Sequence, residues 1–318
     1  MSTSVAPKPP SLRAAPGRLG SCRPPPRLCG RPSNPLHDAG VSASPSLARA
    51  DRPGAAASPA APATGPRAFG QALRTVAFVG EVLVALARWL RGGPGPRAAD
   101  VLQQLDHCGP RSLPIVLLTC ALAGLMVAYM GGAQLARIGA QGYIADVVTV
   151  GVVREIAGVM TGIILAGRIG SAYAAQLAAM EAGEEIDALR VLGVDPVAHL
   201  VLPRVLALVA VMPALYVFGA VVGMAAGWLA AVGAYGVSSA EYVQQCLRAL
   251  SFTDLWIGLL KAVIYAALVG LAGCREGLHA GRSAQAVGVA TTRAVVKALV
   301  WIVAAATVTT IVLTSLGF

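Results

Sequence analysis

Four ionisable residues stand in segments that are otherwise apolar. Arg154 and Glu155 are adjacent in the run 147–172, Arg168 lies further along the same run, and Lys261 falls in the run 255–273. Ionisable groups in hydrocarbon are costly and usually face a cavity or a partner helix. Adjacent residues on a helix point about 100° apart, so Arg154 and Glu155 do not simply neutralise each other. At about 1.5 Å of rise per residue from Val147, they sit roughly 10–12 Å below one membrane surface. Two readings of the pair are open: the wall of a functional cavity, or ion pairs between helices. Arg168 falls near the opposite surface, where a long side chain snorkels cheaply. Lys261 could snorkel in the same way or mark a pathway.

A second cluster occupies the stretch 180–204, where Glu181, Glu184, Glu185, Asp187 and Asp195 face only Arg190 and Arg204. Residues 184–192 fit a short helix whose acids fall in the first turn, where the helix dipole favours them. Gly193 is placed to cap its C-terminus and Asp195-Pro196 to stop it. Ile186, Leu189 and Leu192 share one face of this helix and the acids crowd towards another. Such a helix suits docking to a soluble partner, and a solvated loop helix fits the pattern equally well.

The elements that carry these residues follow from composition. The 318 residues are 56% hydrophobic and 13% charged, too little charge to cover a soluble protein of that size. Five segments have the length and apolarity of a membrane span: 113–136, 147–172, 204–232, 255–273 and 298–317. Before them, 72–90 is apolar but carries Arg74, Glu81 and Arg88, and 100–108 is short and mixed. Both read as interfacial amphipathic helices within 71–111. Residues 1–70 hold nine Lys/Arg against Asp38 and Asp51, supply +7 of the net +10, and contain 14 of the 21 prolines. With no periodic apolar face to bury, they read as a disordered tail. A solvated tail, a transit peptide and an over-extended start site all remain open for it. The expected fold is thus an all-α membrane protein with about five transmembrane helices, interfacial helices before them, and a disordered N-terminal tail.

Basic residues in the connections orient the spans. Arg275, Arg282, Arg293 and Lys297 in 274–297, with Arg88, Arg91, Arg97 and Arg111 before the first span, place the N-terminus in the cytoplasm and the C-terminus outside. The acidic stretch 180–204 is the exception on that side. Small residues recur every four positions in the second span (Gly158, Gly162, Ala166, Gly170, Ala174, Ala178) and in the third (Gly219, Gly223, Gly227), as close helix packing in lipid requires. On the first span Val127, Gly131, Gln134, Leu135 and Ile138 form a stripe that fits a lipid cavity or ordinary packing alike.

Several chemistries have no residues to carry them. No G-x-x-x-x-G-K-[ST] phosphate loop occurs, so the chain does not power itself with ATP. H-E-x-x-H and G-x-S-x-G are absent, and the four histidines (37, 107, 199, 279) are isolated. Cysteines 22, 29, 108, 120, 246 and 274 form no CxxC pair, so free thiols are expected and no metal site.

Between 154 and 206 the sequence closely resembles the signature of MlaE-type (YrbE) permeases. The resemblance is carried by Arg154-Glu155, Ala166-Gly167-Arg168-Ile169-Gly170-Ser171-Ala172, Glu184-Glu185-Ile186-Asp187-Ala188-Leu189, Gly193-Val194-Asp195-Pro196 and Pro203-Arg204. Ser112-Leu113-Pro114-Ile115 and the run 286–296 are similar as well, so the likeness spans 75–318. It implies a homodimeric permease of an ABC complex with two cytoplasmic ATPase subunits and an MCE-domain lipid-binding protein on the outer side. Such systems move phospholipids or related lipids between inner and outer membranes and bear on outer-membrane lipid asymmetry. The implied location is the bacterial inner membrane, and a relative works in the plastid inner envelope.

By the same resemblance the chain is no enzyme, ATP is bound by the partner subunit only, no other cofactor is expected, and no nucleic acid is a partner. The coupling helix gripped by the ATPase would comprise Glu184, Glu185, Asp187, Leu189 and Arg190. The lipid cavity would be bordered by Arg154 and Glu155 and, by position alone, by Val127, Gln134, Leu135 and Ile138. Two departures stand out: Ile156-Ala157-Gly158 lacks the family's usual proline, and Gln176 replaces its customary glutamate. The alternatives are an ion-coupled secondary transporter and a non-transporting membrane scaffold, and no internal repeat favours the former.

Overall fold

A computed structural model describes residues 66–92 and 98–317, all within one compact unit covering 62–318. Among the described residues the chain forms nine helices and no strand: α1 (Pro66–Leu90), α2 (Ala98–Cys108), α3 (Leu113–Arg137), α4 (Gln141–Ala182), α5 (Glu185–Val191), α6 (Val197–Tyr235), α7 (Ser239–Ala249), α8 (Phe252–Leu278) and α9 (Ala284–Ser315). Five of these, α3, α4, α6, α8 and α9, are long and apolar enough to cross a membrane. The protein is a multi-pass membrane protein of the all-α class.

α6 and α8 form the centre. Half or more of their most apolar stretch is buried, against 11% for α9, which lies at the edge of the bundle. α8 packs on α4, α6 and α9, and α3 packs along α6. Without a hydrophobic force between helices in lipid, close backbone approach does this work. The tightest approaches use glycine: a Cβ on Gly273 of α8 would sit 2.6 Å from the carbonyl oxygen of Gly170 on α4. The outward faces of α3 and α9 stay apolar, with Leu118, Leu122, Met126, Val300, Val303 and Ile311 all exposed. In a bilayer that is the expected condition of a lipid-facing surface. α1 buries Phe78, Val82 and Ala85 and leaves Leu73, Val76 and Val84 exposed.

Several boundaries differ from the hydropathy reading. The connection expected at 274–297 is only 279–283, because α8 continues to Leu278 and α9 begins at Ala284. Ser283 sets that start: its backbone is extended and its hydroxyl accepts the Ala286 N–H at 3.2 Å, an N-cap. Hydropathy missed it because Arg275, Arg293 and Lys297 interrupt the apolar run without interrupting the helix. Arg275 and Lys297 both donate to Glu276, at 2.8 and 2.5 Å. α6 likewise starts at Val197 and α4 at Gln141, six residues before the span expected from Val147. The tail assigned to 1–70 lies outside the described residues up to 65, and 66–70 already belong to α1.

Candidate functional site

Three short π-helical turns interrupt the long helices: Val152–Ile156 and Ala166–Gly170 in α4, and Val197–Val201 opening α6. Such turns free a carbonyl from the regular ladder and recur at functional sites. The first carries Arg154 and Glu155. There the hydroxyl of Tyr216 on α6 donates to the Val153 carbonyl at 2.7 Å. Gly258 of α8 lies against the same point, since a Cβ on it would run into the Tyr216 hydroxyl.

Arg154 and Glu155 diverge, and each meets a partner on α8. Arg154 Nη1 donates to Asp254 Oδ1 at 3.3 Å. Glu155 accepts from the ammonium of Lys261, which is only 2% exposed. Thr310 of α9 closes the second pair: Lys261 Nζ donates to its hydroxyl at 2.9 Å, and that hydroxyl donates to Glu155 Oε1 at 3.2 Å. Asp254 and Lys261 stand two turns apart on α8, about 10 Å along its axis, and the long side chains of Arg154 and Glu155 reach them by pointing in different directions. The cluster holds two cations and two anions and tethers three helices. Of the two readings open for Arg154 and Glu155, the geometry contains the ion pairs between helices. Lys261 does not snorkel, and Glu155, 36% exposed, keeps one edge open.

Asp254 was legible in principle. Ser251-Phe252-Thr253-Asp254 is a capping pattern in which Ser251 Oγ accepts the Asp254 N–H at 3.1 Å and donates to its Oδ2 at 2.9 Å. Tyr216 and Thr310 carry no comparable signal. Arg168 is exposed and donates to the Arg111 carbonyl, just before α3 begins.

The stripe on α3 divides. Val127 and Leu135 pack against the core, while Gln134 is exposed and Ile138 is 76% exposed. The small residues are placed at helix contacts. Gly158 and Gly162 face Tyr265, Gly170 faces Val269, Gly219 faces Cys120, Gly223 faces Val152 and Gly227 faces Val148. Ala166 is fully buried. Gly124, Gly258, Gly273 and Gly277 make approaches at least as close and were not singled out from sequence, although Gly273 and Gly277 are four apart and Gly258 heads the series Ala262, Ala266, Gly270.

The short helix α5 covers 185–191, with Glu184 as N-cap and Leu192 as C-cap. Glu184 takes a left-handed backbone with φ of 59°, a conformation costing a non-glycine residue roughly 1–2 kcal/mol. At the other end Gly193 and Val194 donate to the carbonyls of Arg190 and Leu189, both at 3.0 Å, a Schellman cap. Ile186 is fully buried and anchors the helix, whereas Val191 and Leu192 are 88% and 76% exposed. Leu192 therefore does not share the buried face with Ile186, and Leu189 is half-buried.

The acids of α5 are held from outside. Arg282, in the α8–α9 connection, pairs with Glu184 at 3.4 Å and with Asp187, which also accepts Arg190 at 2.8 Å. Asp195 caps α6 by accepting the Val197 N–H at 3.0 Å and pairs with Arg88 of α1 at 3.3 Å. Glu185 is exposed. α5 is thus connected to α4 and, through Arg282, to the α8–α9 turn, while Asp195 in the segment after it joins α1 to the start of α6.

The family described as Permease MlaE matches residues 101–312. A protein of Rickettsia typhi named Probable ABC transporter permease protein is 35% identical over 202 residues, 64% of this chain and 78% of that protein. A protein of the same description from Synechocystis is 32% identical over 200 residues, 63% of this chain and 76% of its own. Protein TRIGALACTOSYLDIACYLGLYCEROL 1, chloroplastic, of Arabidopsis thaliana is 36% identical over 203 residues, 64% of this chain and 58% of that protein. The family match covers the cluster at Arg154 and Glu155, the helix α5, and every membrane-crossing helix in whole or large part, and the chain belongs to the MlaE permease family.

Proposed function

We propose that this chain is the membrane-spanning subunit of an ABC transporter that moves phospholipids or related lipids between inner and outer membranes. It works as a homodimer in the bacterial inner membrane, with its N-terminus cytoplasmic and its C-terminus periplasmic. A separate cytoplasmic ATPase supplies the energy, and an MCE-domain protein exchanges lipid on the outer side. The observation that carries this reading is α5. It is a short helix fixed at one point by Ile186, presents Val191, Leu192 and Glu185 to solvent, and is linked to α4 and, through Arg282, to the α8–α9 turn, with Asp195 just beyond it reaching α1 and α6. Exposed apolar side chains beside charges on a small, anchored element suit a docking surface better than a solvated loop.

In this reading, closure of the ATPases draws the two copies of α5 together. Displacement of α5 passes directly into α4, through Asp195 into α6, and through Arg282 into the turn between α8 and α9. α4 carries the Arg154–Asp254 and Glu155–Lys261 pairs, which hold it to α8 as one body while the space between the two subunits narrows. The chain supplies shape and an apolar wall, and no covalent step. An ion-coupled carrier would need a titratable group free to load and release its ion, whereas these four charges engage one another.

Co-purification from native membranes in gentle detergent, with mass spectrometry of bound protein and lipid, tests the proposal. Wild type should retain an ATPase, an MCE-type protein and phospholipid. Glu185→Lys should lose the ATPase while the helical content and melting temperature stay unchanged. Normal ATPase association in that variant would overturn the assignment of α5.

A further inference from the structure

At the end of the bundle where α3 and α6 begin, α2 and the first turns of α6 enclose a cleft of about 290 Å³. Asp100, Gln103 and Gln104 of α2 line one wall, and His199 and Arg204 of α6 line the other. Neither the ion-pair cluster nor α5 contributes to it.

Arg204 is the unusual member. It is 9% exposed, yet among the described residues it takes part in no ion pair. Its Nη1 donates to the Leu200 carbonyl at 2.8 Å and its guanidinium lies 5.9 Å from the centre of the Tyr173 ring. Its Nε, fully enclosed, has no hydrogen-bond partner among the described residues. A buried cation without a carboxylate is costly, and the ring and one carbonyl compensate only part of that. The π-turn Val197–Val201 brings His199 round to the same cleft. Across from these two stands a carboxylate, Asp100, flanked by two amides.

We propose that this cleft binds the headgroup of an amine-bearing phospholipid. Arg204 and His199 meet the phosphate, Asp100 meets the ammonium, and Gln103 and Gln104 donate to phosphoester oxygens. Positive and negative groups on opposite walls match a zwitterion, whereas a bare anion would be repelled by Asp100 and a bare cation by Arg204. A cleft where two spans start is level with lipid headgroups. Leu102 of α2, 64% exposed, offers apolar surface beside it. The site needs only a bilayer around the chain and does not depend on the transport proposal.

The full chain is reconstituted in nanodiscs containing equal phosphatidylethanolamine and phosphatidylglycerol, and retained lipid is read by native mass spectrometry. Wild type should retain the ethanolamine lipid in preference by about tenfold, the worth of one charged hydrogen bond. Asp100→Asn should abolish the preference, and His199→Ala with Gln104→Ala should lower total retention by about tenfold at unchanged melting temperature. Equal retention of both lipids by wild type, or a preference that survives Asp100→Asn, would refute the site. Equally tight binding of soluble glycerophosphoethanolamine would reassign it to a free phosphoester and overturn the lipid headgroup as occupant.

Discussion

The ammonium of Lys261 on α8 donates to the carboxylate of Glu155 on α4, and the hydroxyl of Thr310 on α9 bridges the two. Three helices are thereby joined at one point inside an otherwise apolar bundle. Removing one partner leaves the other charge uncompensated. Glu155→Gln should therefore destabilise the chain by about 3 kcal/mol, the open edge of Glu155 keeping it at the lower end of the buried-pair range. The double variant Glu155→Gln/Lys261→Met should recover most of the loss. Thermal melts in detergent decide it, and a double variant as unstable as the single one would count against the pair.

Tyr216 supports the same region from behind. Tyr216→Phe deletes the donor to the Val153 carbonyl, so a buried backbone acceptor goes unsatisfied at a cost of about 1–3 kcal/mol. The π-turn carrying Arg154 should loosen with it. Hydrogen exchange across 152–160 is expected to rise while that of α9 stays constant, and protection of 152–160 equal to that of wild type would dismiss the link.

Glycines differ sharply in what they tolerate. Gly258→Ala would place a methyl into the Tyr216 hydroxyl and the Val153 carbonyl, and overpacking of this kind costs about 1–3 kcal/mol. Gly233→Ala meets nothing within 4 Å and should leave the melting temperature unchanged or slightly raised. Equal effects of the two substitutions would mean that α4, α6 and α8 do not meet as described.

Arg282 is the tether between the α8–α9 turn and α5. Its side chain is 55% exposed, so Arg282→Ala should change global stability by less than about 1 kcal/mol. Its effect should be local: faster hydrogen exchange in 184–191 and, in the assembled transporter, weaker stimulation of the ATPase. Unchanged exchange in α5 would show that the contact does not restrain the helix.

Cys108, on α2 outside the spans, has its thiol pushed above the ordinary range by burial, partly offset by its 2.9 Å hydrogen bond with Tyr173. The folded state therefore favours the neutral thiol. The stability this contributes is complete below the thiol's unfolded value of about 8.5 and is lost as pH rises towards the raised folded value. Wild type should lose stability relative to Cys108→Ser as pH rises above about 8.5 in thermal melts, and maleimide labelling of native Cys108 near pH 8 should be slow. Parallel stability curves would place the thiolate outside the burial argument.

The sequence by itself determined that the chain is an all-α membrane protein with five spans, because apolar runs of the right length have one stable fate in lipid. Its motifs determined the family, and the acidic stretch around Glu184 marked α5. The cap at Gly193 was read from sequence too, since a cap depends on neighbours a few residues away, whereas those at Ser283 and Ser251 were recognised only in the structure. Tertiary structure alone decided that Arg154 pairs with Asp254, and Glu155 with Lys261 and Thr310, across 100 to 155 positions of chain. It also decided that Val127 and Leu135 turn inward while Ile138 does not, and that Arg204 is enclosed without a carboxylate. Each of these depends on the rotation of one helix against another. That rotation is set by where glycines such as Gly258 and Gly273 allow backbones to approach, a property of both helices together and of neither sequence alone.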